Sequence, residues 1–160
     1  MIQYGGFWRR FVAALIDGII LNIALSIIMS IFGVGAGFAQ FGDPAYLEAA
    51  GVGAVLLLIV ISFGGQWLYF ALMESSSMQA TLGKLAMGVV VADAKGERIS
   101  FGRATGRYFA KILSGMILMI GYIMAAFTER KQALHDLLAG TVVYKTRDPS
   151  SVRSSADIFA

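Results

Sequence analysis

The residue most able to do chemistry is Asp17, an acid inside a long apolar segment. It follows Arg10 by seven residues. Two turns of an α-helix take about 7.2 residues, so the two side chains point to nearly the same face, about 10 Å apart along the axis. An ionised carboxylate at membrane depth costs roughly 2.5–3.5 kcal/mol on insertion scales, and such acids are commonly functional. The spacing therefore predicts either a proton- or cation-binding acid whose pKa Arg10 tunes, or a buried polar contact that fixes helix packing.

His135 and Asp136 form a second acid–base candidate, and His135 is the only histidine of the chain. Adjacent residues on a helix do not face each other, so the two do not make a catalytic dyad by themselves. No set of nucleophile, base and orienting residue accompanies them. The sequence from Thr81 to Lys84 lacks the upstream glycine and the following Ser or Thr of a phosphate loop. We therefore predict no enzyme activity, no cofactor and no metal site.

Composition indicates a membrane protein. The chain of 160 residues is 58% hydrophobic and 14% charged, whereas soluble domains are nearer half apolar and a quarter charged. It has no cysteine, which excludes disulfides and thiol chemistry. Its 13 basic residues lie in three blocks, at Arg9–Arg10, between Lys84 and Lys111, and between Arg130 and Arg153. This segregation is typical of membrane topology and not of a surface that binds nucleic acid.

Two apolar runs are long enough to position Asp17 inside a bilayer. Residues 11–32 and 52–73 are uncharged apart from Asp17, and about 20 apolar residues cross a hydrocarbon core of about 30 Å. Residues 33–51 read as the loop between them. In the second run Gln66 shares one helix face with Ser62 and Tyr69, at spacings of four and three residues.

A third apolar run, within residues 106–127, is interrupted by Gly115 and Gly121. Its continuous apolar part is short for a span, which needs at least about 17 residues. Irregular backbone at membrane depth is tolerated where protein or a water-filled cavity surrounds it. We therefore predict an all-α polytopic membrane protein with two full transmembrane helices and a third broken or re-entrant helical segment. Three full transmembrane helices are the alternative.

The polar segments around this third run carry short local elements. Residues 88–93 and 141–144 read as strands that pair with each other on the cytoplasmic side. Ile99–Phe101 reads as a short return strand, or alternatively Ser100 caps a following helix. The remaining predictions are an amphipathic helix at 128–139 that ends at Gly140, a basic face of Arg103, Arg107 and Lys111 that anchors at the headgroups, and a flexible tail at 146–160.

Orientation follows from the positive-inside rule. The Arg9–Arg10 end is cytoplasmic, and the acidic loop with Asp43 and Glu48, which has no Lys or Arg, is outside. A re-entrant third segment leaves both termini cytoplasmic, in a multi-pass protein of the plasma or inner membrane. Two crossings cannot enclose much of a pathway, so we expect a homo-oligomer.

Four ordered blocks of sequence resemble the RDD family of membrane proteins, which is named for an arginine and two aspartates. The resemblance covers about residues 4–145, as a single domain. The blocks are Gly6–Phe11 followed by Leu15–Asp17, then Ala80–Lys84, then Gly88–Asp93 running into Ser100–Ala104, and finally Ala133–Asp136 with Leu138–Val143. By that resemblance the arginine is Arg10, with the adjacent Arg9 as its rival, and the two aspartates are Asp17 and Asp136.

The resemblance and the intramembrane acid together give two functional hypotheses. Some family members are linked to sodium/proton antiport, so the first is a small transporter that exchanges monovalent cations for protons through Asp17, Arg10 and Asp136. The second is a non-transporting membrane scaffold or accessory subunit in which these residues are structural. The secondary site candidates are Arg9, Gln66, Thr81, Lys84 and His135.

Overall fold

The computed structural model of the chain describes residues 3–31, 43–116 and 120–156. These residues form two compact units. Unit 1 comprises Met1–Asp17 and Tyr69–Ala160, and unit 2 comprises Gly18–Leu68. The elements are α1 (Phe7–Ile31), α2 (Pro44–Ser75), α3 (Leu82–Ala86), β1 (Val90–Asp93), α4 (Phe101–Met116), α5 (Ile120–Phe127), α6 (Leu134–Ala139), β2 (Thr141–Tyr144) and α7 (Pro149–Ala156).

Among the described residues, two helices are long and apolar enough to cross a membrane, as predicted. The segments are Phe7–Ile28 of α1 and Gly51–Ser75 of α2. Few of their residues are buried, and the rest are exposed or half-buried. Apolar surface on this scale is unfavourable in water and expected in lipid.

The predicted loop at 33–51 is wrong in its second part, because α2 already begins at Pro44. Proline suits a first helical position, since its missing N–H would have no partner there. The Asp43 carboxylate accepts a hydrogen bond from the Ala45 amide at 2.9 Å, which satisfies another free donor of the first turn. Gly51 then interrupts the helix with φ +71° and ψ 157°. Residues 32–42 lie outside the described part of the chain.

The two predicted strands do pair. β1 and β2 are antiparallel, with Val90 opposite Tyr144 and Asp93 opposite Thr141. The N-terminal segment joins them, because Tyr4 bridges to Tyr144 and the Gly5 amide donates to a β2 carbonyl at 2.8 Å. A small apolar core surrounds the sheet and consists of Ala80, Val90, Ala92, Val142, Tyr144 and Val152. The N-terminus and both ends of the segment 94–140 therefore meet within unit 1.

The helix that follows β1 begins without a return strand. The Ser100 hydroxyl accepts a hydrogen bond from the Arg103 amide at 3.2 Å, so the N-cap interpretation is confirmed and the strand at Ile99–Phe101 is wrong. The described residues of the third apolar run lie in α4 and α5. Residues 117–119 between them lie outside the described residues.

The C-terminal third differs from the prediction in two further elements. The helix expected at 128–139 is only Leu134–Ala139, because residues before it form a turn in which the Thr128 hydroxyl accepts from the Gln132 amide at 2.7 Å. The helix ends at Gly140 in the left-handed conformation, as predicted. The predicted tail contains helix α7, and Val152 of this helix is buried.

Candidate functional site

Asp17 lies in unit 1 with only 1% of its surface exposed. One carboxylate oxygen, Oδ1, accepts hydrogen bonds from the Tyr69 hydroxyl at 2.8 Å and from the Gly83 amide at 2.8 Å. The other, Oδ2, accepts from the Thr81 hydroxyl at 2.5 Å. We call these four residues the Asp17 cluster. Every one of these donors is neutral, so the charge is stabilised by dipoles and not by a cation.

The local sequence of α3 explains how three donors converge on one acid. Thr81 is the N-cap of α3 and has extended backbone, so its side chain and the first free amides of the helix point the same way. The Leu82 amide donates to the Tyr69 hydroxyl at 3.0 Å. A side chain at Gly83 would place its Cβ 2.1 Å from the Ala13 carbonyl oxygen. Only glycine therefore lets α3 approach α1 closely enough to reach Asp17.

A second buried acid, Glu74, is surrounded by cations. Its Oε2 lies 3.1 Å from Nη1 of Arg107, and its Oε1 lies 3.1 Å from Nζ of Lys111. Lys84 also donates to Oε1. Glu74 and Arg107 each have side chains 1% exposed, so this contact is shielded from water and from salt.

Arg107 connects Glu74 to Asp136. Its Nη2 lies 2.6 Å from Oδ1 of Asp136, and Arg10 donates to the other oxygen of the same carboxylate. That oxygen also accepts from the Ala133 amide at 3.0 Å, which caps the start of α6. We call the acids Glu74 and Asp136, with the four basic residues that contact them, the ion-pair cluster; the basic residues are Arg10, Lys84, Arg107 and Lys111.

The surroundings shift the pKa values of groups in and beside this cluster. Burial alone would raise the pKa of Asp136, but Arg107 and Arg10 outweigh it and hold that pKa well below its usual range. Burial lowers the pKa of Lys84 to about 7, against the attraction of Glu74. Burial also lowers the pKa of His135 to about 2, although Asp136 is next to it. His135 is therefore neutral at physiological pH.

Comparison with known proteins assigns the family. The model of the RDD family matches residues 4–140. This chain belongs to the RDD family. Two relatives in Bacillus subtilis (strain 168) agree: uncharacterized protein YxaI is 46% identical over 91% of this chain and 100% of its own length, and uncharacterized membrane protein YteJ is 32% identical over 88% and 80%. No solved structure matches. With the two apolar helices, these relatives indicate that this RDD protein is a membrane protein.

The three residues that the family resemblance selects lie in two different clusters. Arg10 binds Asp136 and the carbonyl oxygens of Gly5 and Lys131, so it belongs to the ion-pair cluster and not to the Asp17 cluster. Arg10 and Asp17 are about 10 Å apart along the axis of α1, and the side chain of Arg10 extends away from this helix to α6. Its neighbour Arg9 donates to the Met87 carbonyl at 2.7 Å.

Of the secondary candidates in unit 1, Thr81 joins the Asp17 cluster, Lys84 joins the ion-pair cluster, and His135 is buried beside Asp136. Gln66 belongs to unit 2. There it lines a mostly apolar groove with Asn22 and Ser62.

The predicted basic anchor on α4 is wrong for two of its three residues. Arg107 and Lys111 turn inward to Glu74, whereas Arg103 is half-exposed and lies 3.7 Å from Asp93. Glu74 is a site residue that was not among the candidates predicted from the sequence. The sequence did contain a signal. Glu74 directly follows an apolar run, Arg107 and Lys111 are four residues apart, and buried charges of both kinds require partners.

Proposed function

We propose that this RDD protein is a membrane scaffold or accessory subunit in which Arg10, Asp17 and Asp136 hold unit 1 together. The observation that carries the proposal is the bonding of Asp17. Its two oxygens accept from Tyr69, Thr81 and Gly83 in a site that is 1% exposed. These bonds occupy three of the about four lone-pair sites of the carboxylate, and the positive ends of the donor dipoles face the place that a cation would take. Such an acid suits a packing role.

The bonds of Arg10 support the same role. One guanidinium joins the carbonyl of Gly5 before α1, the carboxylate of Asp136 in α6 and the carbonyl of Lys131 before it. Asp136 and Lys131 each lie more than 120 positions from Arg10 in the chain. A planar group with five donors suits such a junction better than a lysine would.

We further propose a plasma- or inner-membrane topology with both termini cytoplasmic and α4–α5 as a re-entrant segment. The pairing of β1 with β2, and of Tyr4 with Tyr144, supports it. Strands that pair must lie on one side of the bilayer, so the chain between them returns to the side from which it left. A reporter that is active only in the cytoplasm should be active at the N-terminus and after residue 145. Activity of an outside-only reporter after residue 145 would contradict this topology and favour three full spans.

The scaffold role is tested by reconstitution. Purified protein in lipid vesicles should give no sodium-dependent proton flux above protein-free vesicles, while Asp17→Asn should lower the thermal unfolding midpoint in detergent. The control Asp43→Asn changes an exposed acid in the same way, and asparagine also caps a helix well. Sodium-dependent flux that disappears in an Asp17→Asn protein with an unchanged midpoint would contradict the scaffold role.

Cation (sodium)/proton exchange by a homo-oligomer is the second candidate, and a different observation favours it. The ion-pair cluster combines two buried acids with four basic groups, and the pKa of Lys84 is lowered to about 7. Lys84 could then release a proton near neutral pH while Glu74 keeps its contacts with Arg107 and Lys111. For this candidate, Lys84→Met should abolish sodium-dependent flux, whereas Lys95→Met at an exposed lysine should leave it unchanged. Equal flux in both variants would contradict exchange through Lys84.

A further inference from the structure

Helix α4 is amphipathic, but polar side chains on it are buried and apolar side chains are exposed. The side chains of Arg107 and Ser114 are buried, whereas Phe109 is 57%, Leu113 47% and Met116 76% exposed. A surface helix of a water-soluble domain has the opposite arrangement, with charges outward and apolar side chains in the core. The exposed face of α4 therefore requires an apolar environment.

Helix α6 has the same inversion. Its polar residues His135 and Asp136 are buried, and its leucines Leu137 and Leu138 are 46% and 61% exposed. The two helices are packed together in unit 1, and a groove runs between them. The exposed apolar side chains of both helices and this groove together form what we call the α4–α6 surface. The groove is lined by Gly102, Arg103, Gly106, Leu137, Leu138, Ala139 and Gly140.

One cation lines this groove. The side chain of Arg103 is 51% exposed and has a long contact of 3.7 Å with Asp93. Its Nη2 lies 3.8 Å from the position of a Cβ on Gly140, which has no side chain to cover it. A guanidinium presents five donors in a plane, so the long contact with one carboxylate oxygen leaves donors for a second anion.

We propose that the α4–α6 surface binds an anionic phospholipid, with the phosphate at Arg103 and the acyl chains along the exposed leucines and Phe109. Phosphate is a matching partner for an arginine at the edge of an apolar surface, and anionic headgroups attract basic groups at the membrane boundary. A second copy of this chain matches this surface less well, because its own copy of the surface would bring another arginine and the same leucines. No acid is among the residues that line the groove. The inference does not depend on whether the protein transports ions.

The apolar part of the proposal is tested by spin labelling, because the chain has no native cysteine. Leu113→Cys and Leu138→Cys, each labelled with a nitroxide, are reconstituted into phosphatidylcholine vesicles that contain phosphatidylglycerol. Both labels should be several-fold more accessible to oxygen than to a water-soluble nickel chelate, as lipid-facing sites are. The control Glu97→Cys, at an exposed loop residue, should give the reverse order.

Two outcomes would overturn it. Labels at 113 and 138 that behave like the control at 97 would place the surface in water. Label–label broadening that disappears when labelled chain is diluted with unlabelled chain would assign the surface to a second copy.

The headgroup part is tested by competition between lipids. In detergent micelles doped with both lipids, the wild-type protein should retain several-fold more phosphatidylglycerol than phosphatidylcholine by native mass spectrometry. Arg103→Gln should reduce this ratio to near one, and the matched control Lys95→Gln, at an exposed lysine, should keep it. An unchanged ratio in Arg103→Gln would overturn the role of this arginine. Displacement of the lipid by millimolar inorganic phosphate would instead assign the site to a free anion and also overturn the proposal.

Discussion

Asp17 and Glu74 are two acids buried in the same unit, and their charges are stabilised in different ways. Around Asp17 the partners are two hydroxyls and a backbone amide. Around Glu74 they are Lys84, Arg107 and Lys111. The first arrangement tolerates a neutral replacement of the acid at moderate cost, because hydroxyls can turn and accept. The second does not, since three cations would lose their counter-charge.

This difference separates three residues that the resemblance to the family selects together. Arg10 and Asp136 belong to the charged network, whereas Asp17 belongs to the neutral one. Removing a partner of a buried ion pair costs more than removing one hydrogen bond, because the remaining charge stays in a medium of low polarity. The comparison therefore predicts a ranking of variants.

Glu74→Gln should have the largest effect. Loss of the carboxylate leaves Lys84, Arg107 and Lys111 without their shared partner, and breaking a buried pair costs about 3–5 kcal/mol. Thermal or denaturant unfolding in detergent measures it. The control Glu97→Gln removes an exposed acid and should stay within about 0.5 kcal/mol of the wild type. If Glu74→Gln is as stable as its control, the ion-pair cluster does not hold the fold.

Asp17→Asn should come second. The amide keeps one acceptor for Tyr69 and Gly83, and the Thr81 hydroxyl can turn to accept from its N–H. The loss is thus that of charge-assisted bonds, about 1–3 kcal/mol. The same unfolding experiment measures it beside Asp43→Asn. A cost equal to that of Glu74→Gln would show that the two acids are held in the same way, and the comparison would fail.

Tyr69→Phe should cost less again, about 0.5–1.5 kcal/mol. Asp17 keeps the Gly83 amide on the same oxygen and Thr81 on the other, while the Leu82 amide loses its acceptor. Tyr4→Phe is the control, at a tyrosine that is 37% exposed. An effect larger than that of Asp17→Asn would mean that the hydroxyl positions α3 and not only the acid.

Mild acid should give the smallest effect and act on the charged region. Burial lowers the pKa of His135 to about 2 from 6.5, so below pH 6.5 the unfolded chain takes up a proton that the folded chain does not. Stability then falls as the pH falls, by about 0.5–1 kcal/mol between pH 7 and pH 6. The unfolding midpoint as a function of pH measures it. His135→Gln should reduce this slope to the smaller part that Lys84, whose pKa is lowered to about 7, contributes in the same direction. An unchanged slope in His135→Gln would assign it to another group.

Much of the fold follows from local patterns. The two apolar runs, the two strand segments, the cap at Ser100 and the turn at Gly140 each depend on residues a few positions apart. The elements that differ depend on distant partners. The helix at 149–156 is stabilised by burial of Val152 against the sheet, and that contact has no local signal.

The candidate site divides in the same way. That Asp17, Arg10 and Asp136 need partners follows from their types, because an unpaired buried charge is too costly to keep. Which partners they have does not follow. Helical spacing suggested Arg10 for Asp17, but the long side chain of Arg10 reaches Asp136, 126 residues away. The sequence likewise did not determine which way the charged face of α4 points. An amphipathic pattern has the same period whether that face points to the headgroups or to a buried acid.

The sequence by itself determined that this is a membrane protein of the RDD family with an acid in its first apolar helix. Composition, run length and motif order carry that information, and none of them depends on contacts. The tertiary structure decided that Asp17 is held by neutral donors and that the cations of α4 face inward to Glu74. The physical reason is that hydrogen bonds and ion pairs act over about 3 Å, and only folding brings residues 17, 74, 107 and 136 within such distances of their partners.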